Sequence, residues 1–183
     1  MSRLERKTNE TTIVASVGVG MGTYDVRIDD RFLAHMVETL ARYSGLDIEI
    51  EAAGDLRHHL VEDVAIVLGQ ALSQALSEDV PEGIARYGAA LIPMDEALVQ
   101  AAIDVGGRPY YVGKLPSKLY THFLHSFATN LGATLHVRVL RGSDRHHVVE
   151  AAVKATGVAL RQALVARDGV FSTKGAVRRE RSD

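Results

Sequence analysis

Cysteine and tryptophan are absent from this chain of 183 residues, and only four prolines are present. Without cysteine the protein can form no disulfide, zinc–thiolate site, iron–sulfur cluster or thiol nucleophile. An excess of charge of one sign is also missing, because 21 Lys and Arg oppose 23 Asp and Glu for a formal net charge of −2. A general nucleic-acid-binding protein needs a basic surface, so we expect no nucleic-acid partner.

Long hydrophobic runs are lacking as well. No stretch approaches the roughly 18 apolar residues expected of a membrane helix. The N-terminal segment MSRLERKTNETT is charged from its third residue and has no apolar core of signal-peptide length. We therefore expect a cytoplasmic protein with no membrane partner. A hydrophobic fraction of 46% and a charged fraction of 24% are ordinary for a globular domain, so the unusual feature is the presence of eight histidines.

Hydrophobic periodicity predicts strands and helices that follow the same order twice along the chain. The last long helix of each half carries the same motif, in DLRHHLVEDVAIVLGQAL and SDRHHVVEAAVKATGVAL. The fold class predicted is α+β, with internally duplicated strand-strand-helix-strand-helix units, two sheets with helices packed together and a pseudo-twofold. Residues 1–183 form a single domain, with half-repeats at 10–80 and 84–165 and a C-terminal tail at 166–183.

The repeated H-H-x-x-E motif is typical of a metal site. His58 and Glu62 are four residues apart, so they share one helix face and can bind one ion. His59 is rotated by about 100° from His58, so the two adjacent histidines favour two different sites. The duplicate motif has His146, His147 and Glu150. Imidazole and carboxylate without thiolate suit a divalent ion such as Mn, Fe, Co, Ni or Zn, and the duplication favours a metal site over a solvated helix N-terminus.

Weaker sequence signals for function come from the histidines outside the two motifs and from the residues that could bind an anion. His136, on an alternating strand, and His35, on the first helix, are further candidates, whereas we expect His122 and His125 to be packing or surface residues. Hydroxyls, a cation and a glycine in the segment STKG suit a phosphate. The phosphate candidates are Ser172, Thr173 and Lys174 in that segment, with Arg86 and Arg108 at the ends of predicted strands. The pattern by itself gives Glu10, before the first predicted strand, no catalytic role.

These segments together resemble the imidazoleglycerol-phosphate dehydratase family of histidine biosynthesis. The resemblance runs along nearly the whole chain through FLAHM, HHLVEDVAIVLGQAL, RYGAALIPMDEAL, GGRPYYVG, HSFATNLGATLHV, HHVVEAAVKA and STKG. It implies a hydro-lyase that eliminates water from imidazoleglycerol phosphate to give imidazole-acetol phosphate. It also implies a homo-oligomeric shell of 24 subunits, with two Mn²⁺ per active site at the subunit interfaces.

The resemblance further implies a role for each matching residue. The metal ligands would be His35, His58, His59, Glu62, His136, His146, His147 and Glu150, of which His35, His58, Glu62, His146 and Glu150 would also contact substrate. Arg86, Arg108, Ser172, Thr173 and Lys174 would bind the substrate's phosphate end, and Lys154 would contact substrate. Glu10 would bind substrate and serve as the catalytic acid–base residue. Metals on the ring nitrogens would stabilise an imidazolate-like charge while Glu10 removes a carbon-bound proton.

Three departures from the family pattern keep two alternatives open. Ala34 stands where the family has an acid, Tyr43 where it has a histidine, and GDLRHH replaces a longer segment before the first motif. The lost acids could be partners that tune metal affinity. The alternatives are a non-catalytic metal-binding paralogue and a related dehydratase that acts on a different imidazole phosphate. A phosphate cradle argues against the first, because a purely structural metal site does not need one.

Overall fold

The computed structural model describes residues 1–79, 83–106 and 108–167, and Ser172, Thr173 and Lys174 lie outside these residues. Strands and helices follow one another in the duplicated order predicted from the sequence, with one more strand at the start of each half. In chain order they are β1 (Ser2–Lys7), β2 (Thr11–Val19), β3 (Tyr24–Ile28), α1 (Arg31–Ser44), β4 (Leu46–Gly54), α2 (Arg57–Asp79), β5 (Tyr87–Met94), β6 (Ala97–Val105), β7 (Tyr110–Gly113), α3 (Lys118–Leu131), β8 (Ala133–Arg141) and α4 (Arg145–Ala163).

The two sheets have the same topology. The first has the strand order β1-β2-β4-β3 and the second β5-β6-β8-β7. In each sheet the first three strands of that order are antiparallel, and the last strand pairs in parallel with its neighbour. The predicted duplicated α+β fold is therefore confirmed, with three strands rather than two before the first helix of each unit.

Strand β1 corrects the predicted start of the first half. The half-repeat was expected to begin at residue 10, yet Ser2–Lys7 forms the edge of the first sheet, where Leu4 pairs with Ala15. The segment SRLERK has one large apolar residue and four charged ones, so its composition resembles a solvated terminus. An edge strand tolerates such charge because one of its sides has no strand partner, and charge there discourages aggregation.

Each sheet is covered on one face by two helices. Helices α1 and α2 pack on the first sheet, α3 and α4 pack on the second, and the halves meet where α1 contacts α4 and α2 contacts α3. The helix ends follow local sequence signals: the Asp30 side chain accepts a hydrogen bond from the backbone N–H of Leu33, and Gly45 ends α1 in the left-handed conformation. Ser117 and Gly132 do the same for α3.

Glycines allow the helices of the two halves to approach closely. A Cβ on Gly69 of α2 would lie 2.6 Å from the carbonyl oxygen of Phe127 on α3. The corresponding glycine of α4, Gly157, would place a Cβ 2.9 Å from the Cβ of Tyr43 on α1. The same close glycine contact therefore occurs twice, and each time it joins a helix bearing an H-H-x-x-E motif to a helix of the other half.

Helix α2 is more apolar than the sequence analysis predicted. The most apolar window of 18 residues within Arg57–Glu78 has a mean hydropathy of 1.2, and by length and composition alone the helix could cross a membrane. That corrects the expectation that no such stretch exists. Within the fold, 61% of this 18-residue window is buried, and α2 packs against β1, β2, β4 and α3. Its apolar residues are therefore those of a core helix.

Candidate metal centre

One cluster of potential metal ligands joins α1 to the N-terminal turns of α4. The Nε2 atoms of His35 and His146 lie 3.3 Å and 3.1 Å from Oε2 of Glu150. One ligand atom from each of the three residues lies within 4.8 Å of the others. The Glu150 side chain is only 9% exposed, and its other oxygen accepts a hydrogen bond from Lys154 Nζ at 2.8 Å. Burial favours the neutral acid, but Lys154 and His35 outweigh it and lower the pKa of Glu150.

A second cluster joins α2 to α3. The Nε2 atom of His58 lies 3.6 Å from Oε2 of Glu62, and Nε2 of His122 lies 3.7 Å from the other oxygen, Oε1. The rings of His58 and His122 stack with centroids 5.5 Å apart. Again one ligand atom from each residue lies within 4.8 Å of the others. This second cluster therefore offers the same two imidazoles and one carboxylate as the first.

The two clusters are counterparts under the internal duplication. Each takes a histidine and a glutamate from the H-H-x-x-E helix of one half and one histidine from a helix of the other half. His122 follows His35 by 87 residues, and each lies ten residues before the glycine that ends its helix. The structure thus corrects the expectation that His122 is only a packing or surface residue, because it lies in a group that could hold a metal ion. Aligning the halves on Gly45 and Gly132 would have found it. His125 lies outside both clusters, beside the Tyr111 ring.

The second histidine of each motif contacts other carboxylates. His147 Nδ1 lies 2.7 Å from Glu96 Oε2, and His59 Nδ1 lies 3.0 Å from Asp55 Oδ1. These contacts raise the pKa of both histidines. As the helical spacing predicts, neither histidine shares the cluster of its neighbour, and the ring planes of His58 and His59 are 73° apart.

Glu96 makes the most extensive of these carboxylate contacts. Its Oε1 atom accepts hydrogen bonds from the backbone N–H groups of Asp144 at 2.7 Å and Ser143 at 3.0 Å. Together with His147, these donors lower the pKa of Glu96 to about 2. Glu96 belongs to the P-M-D-E-A-L segment, and no sequence pattern predicts its contact with His147. Glu10 holds the corresponding place in the first half, with Oε2 3.5 Å from His59 Nδ1.

His136 does not join either cluster in the described part of the chain. On β8 it is exposed, whereas its neighbours Leu135 and Val137 are buried in the core. Its side chain therefore lies on the outer face of the second sheet, near the Tyr110 ring. A metal-binding role for His136 stays a prediction from the resemblance, and it would require a cluster on another copy of the chain.

Arg86, one of the two arginines expected to bind phosphate, lies far from the first cluster within one chain. The backbone N–H of Arg86 donates to the Ala163 carbonyl at the C-terminal end of α4, whereas His146 lies at the N-terminal end. At 1.5 Å per residue, the 19 residues of α4 separate these ends by about 28 Å. The Arg86 side chain pairs with Asp104 on β6. Asp104 lies opposite Thr134 on β8, and the Thr134 hydroxyl donates a hydrogen bond to the carbonyl oxygen of Arg108. The two arginines therefore share one end of the second sheet.

Lys154 lies one turn after Glu150 on α4 and contacts Tyr43. Its Nζ atom lies 5.5 Å from the centroid of the Tyr43 ring and 3.7 Å from the sulfur of Met94. Burial disfavours the ammonium, but the Glu150 carboxylate and Tyr43 outweigh it and raise the pKa of Lys154. Lys154 is therefore a cation held against the first cluster, in the region where the resemblance places substrate.

A pocket of about 380 Å³ adjoins the first cluster through His146. Arg57 and Arg145, the residues immediately before the two H-H pairs, both line it, together with Phe32 and Tyr120. A small polar molecule has room beside the candidate metal ligands.

The donor set of the clusters fits a divalent ion. Two imidazoles and one carboxylate, without sulfur, suit the borderline metals and manganese. The carboxylates lie between the imidazole nitrogens at 3.1–3.7 Å. Three protein ligands leave coordination positions for further ligands on an octahedral ion.

The fold and the site define a duplicated α+β protein with two candidate metal clusters. The family model described as imidazoleglycerol-phosphate dehydratase matches residues 29–160. A relative of that name from Clostridium botulinum (strain Hall) is 44% identical over 195 residues, covering 97% of this chain and 98% of the relative. Another, from Chloroherpeton thalassium, is 42% identical over 191 residues, covering 96% and 97%.

Solved structures agree with the sequence relatives. The enzyme from Pyrococcus furiosus matches with a TM-score of 0.82 at 39% identity, covering 95% of this chain and 100% of that one. The enzyme from Staphylococcus aureus matches with a TM-score of 0.79 at 31% identity, covering 91% and 100%. The chain belongs to the imidazoleglycerol-phosphate dehydratase family, which confirms the resemblance found in the sequence.

Proposed function

We propose that this protein is a hydro-lyase that eliminates water from imidazoleglycerol phosphate to give imidazole-acetol phosphate, a step of histidine biosynthesis. The observation that carries this proposal is the pair of duplicated His₂Glu clusters, found in a chain 44% identical to named dehydratases over nearly its full length. A metal-dependent elimination from an imidazole substrate makes use of both clusters.

We propose that each active site uses two Mn²⁺ ions. One would be held by His35, His146 and Glu150, and the other by His58, Glu62 and His122. His59 and His147 would complete the ligand sets of clusters on other copies of the chain, because neither joins a cluster of its own chain. When bound, these ions supply Lewis-acid stabilisation of the negative charge that develops on a substrate imidazole.

We further propose that the protein works as a homo-oligomer, with 24 subunits as the resemblance implies. Within one chain Arg86 cannot reach the first cluster, because about 28 Å of α4 separates the end of the helix beside Arg86 from the end that carries His146. A substrate with an imidazole at one end and a phosphate at the other is much shorter than this distance. The phosphate cation and the metal ligands of one active site would therefore come from different subunits.

The remaining groups of the chain supply acid–base and charge functions. Glu10 would remove the carbon-bound proton, because its carboxylate lies next to His59 and its side chain is 55% exposed and so accessible to substrate. Lys154 would bind an anionic or hydroxyl group of the substrate, because its ammonium already lies against the first cluster. Ser172, Thr173 and Lys174 would complete the phosphate site with Arg86 and Arg108.

An assay of dehydration tests the proposed function. Protein loaded with Mn²⁺ should convert imidazoleglycerol phosphate to the ketone, and a chelator should stop the reaction until Mn²⁺ is restored. The Glu62→Gln and Glu150→Gln variants should each lose at least 100-fold in kcat/KM, whereas Glu49→Gln, an exposed change on the outer face of the first sheet, should match wild type. Full activity of the metal-free protein, or of both cluster variants, would refute the proposal.

The contact between Tyr43 and Lys154 favours testing a second candidate, a dehydratase for a different imidazole phosphate. Tyr43 departs from the family pattern and touches a residue expected to bind substrate. The same assay with imidazole phosphates that differ in the side chain decides between the two. A higher kcat/KM for one of them than for imidazoleglycerol phosphate would favour the second candidate.

A further inference from the structure

The hydrogen-bonding partner of a histidine decides which of its ring nitrogens can bind a metal. A neutral imidazole carries its proton on one nitrogen and offers a lone pair on the other. An ionised carboxylate can only accept hydrogen bonds, so a carboxylate at Nδ1 retains the proton there and leaves Nε2 as the metal-binding atom. The partner of Nδ1 therefore matters for each histidine proposed to bind Mn²⁺.

Glu96 holds such a position against His147. Its Oε2 atom lies 2.7 Å from Nδ1, the shortest contact between a histidine ring nitrogen and a carboxylate in the described part of the chain. Its Oε1 atom is fixed by the backbone N–H groups of Ser143 and Asp144, which precede α4. The carboxylate is thus anchored to the start of the helix that carries His147, and its contact with Nδ1 is much shorter than the 3.5 Å between His147 Nε2 and Asp95 Oδ2.

The first half repeats the arrangement with a different residue. Nδ1 of His59 contacts Asp55 at 3.0 Å and Glu10 at 3.5 Å. Both second histidines of the H-H pairs therefore present Nδ1 to carboxylates of their own chain. Duplicated contacts of the same atom make an accidental surface pairing a poor explanation.

We infer that Glu96 is a positioning residue, which fixes the Nδ1–H tautomer of His147 and thereby directs Nε2 to the metal. This inference rests on the proposed function, because it assumes that His147 is a ligand. Glu96 itself touches neither substrate nor metal in this arrangement. The same role falls to Asp55 for His59 in the first half.

The Glu96→Gln variant tests whether Glu96 determines the tautomer of His147. A glutamine can keep its oxygen on the backbone N–H groups of Ser143 and Asp144, which leaves its NH₂ group facing Nδ1 of His147. That NH₂ donates, so Nδ1 must accept and the proton moves to Nε2. In Glu96→Asp the carboxylate still only accepts, so the tautomer of wild type should be kept. Glu49→Gln, on the outer face of the first sheet, controls for the loss of one negative charge.

Two measurements test the inference on the intact protein. Solid-state ¹⁵N NMR of metal-free protein labelled at histidine reports the tautomer, with the His147 signals identified by comparison with His147→Gln. Competition with a fluorescent chelator reports Mn²⁺ affinity. Glu96→Gln should show Nε2–H at His147 and bind Mn²⁺ about 10–100-fold more weakly at the affected site, the usual effect of losing such a partner. Glu96→Asp should retain Nδ1–H and recover most of the affinity.

The outcomes separate this inference from the proposed function. If wild type binds Mn²⁺ and turns over substrate while Glu96→Gln binds Mn²⁺ as tightly as wild type, the role of Glu96 is refuted and the proposed function stands. Retention of Nδ1–H in Glu96→Gln would also refute it. If wild type binds no Mn²⁺, the proposed function fails, and the ligand role of His147 fails with it.

Discussion

Replacing Gly69 with alanine tests whether the close approach of α2 and α3 is needed for the fold. The new Cβ would lie 2.6 Å from the carbonyl oxygen of Phe127 and 3.0 Å from the backbone nitrogen of Leu131. Both are backbone atoms, which cannot turn aside as a side chain can. Ordinary contact begins at 3.4 Å, so the helices must separate by about 0.8 Å at this point.

The expected cost follows from two opposing effects. Alanine stabilises a helix interior by about 1 kcal/mol relative to glycine. Overpacking a close-packed interface costs about 1–3 kcal/mol. The net change for Gly69→Ala is then a loss of about 0–2 kcal/mol in the free energy of unfolding. The separation would also move His122 on α3 away from His58 and Glu62 on α2, so Mn²⁺ affinity at that cluster should fall.

Urea denaturation at one fixed protein concentration measures the change, since assembly also affects apparent stability. Ser73→Ala, one turn later on the exposed side of α2, is the matched control and should be neutral or slightly stabilising. A gain of about 1 kcal/mol in the free energy of unfolding of Gly69→Ala would show that the substitution acts through helix propensity alone. That result would refute the close approach of the two helices.

Two further predictions concern buried and capping carboxylates. Asp63 is buried and accepts hydrogen bonds from Thr11 and Arg6. Asp63→Asn should therefore lower the free energy of unfolding by about 1–3 kcal/mol, as measured by urea denaturation. An unchanged denaturation midpoint would contradict this prediction. For Asp30, burial raises the pKa, but hydrogen bonds from the first turn of α1 and from Arg57 outweigh it and lower the pKa below 3.8. A lowered pKa stabilises the folded state above the unfolded value, and this contribution disappears as the pH falls through the folded value. The difference in the free energy of unfolding between wild type and Asp30→Asn should therefore have its full size near pH 6 and shrink below about pH 4. Urea denaturation across this pH range measures the difference, and a constant difference would contradict the prediction.

Elements whose signals are local can be recognised in the sequence. Asp30 and Gly45 mark the ends of α1, and the repeated H-H-x-x-E motif marks the starts of α2 and α4. Each depends on neighbours within one turn of helix, so the pattern is visible without the fold. Strand β1 was missed because an edge strand needs few apolar residues, and SRLERK has only one large apolar side chain.

The contacts between the two halves could not be predicted in the same way. His122 joins His58 and Glu62 only because α3 packs on α2, and nothing within α3 distinguishes it from His125. Likewise Glu96 reaches His147 because the turn between β5 and β6 lies beside the start of α4. Such partners depend on packing between elements far apart in sequence, which periodicity does not encode. The internal duplication was the one signal that could have indicated His122.

The most direct test of the two-cluster account measures dehydration against bound metal in the same sample. Metal-free protein is titrated with Mn²⁺, and the ions bound per chain and the rate of imidazole-acetol phosphate formation are recorded together. We expect two ions per chain in wild type, with activity complete only at the second, and one ion per chain in His122→Ala. Full activity at less than one ion per chain, or two tightly bound ions in His122→Ala, would contradict the account.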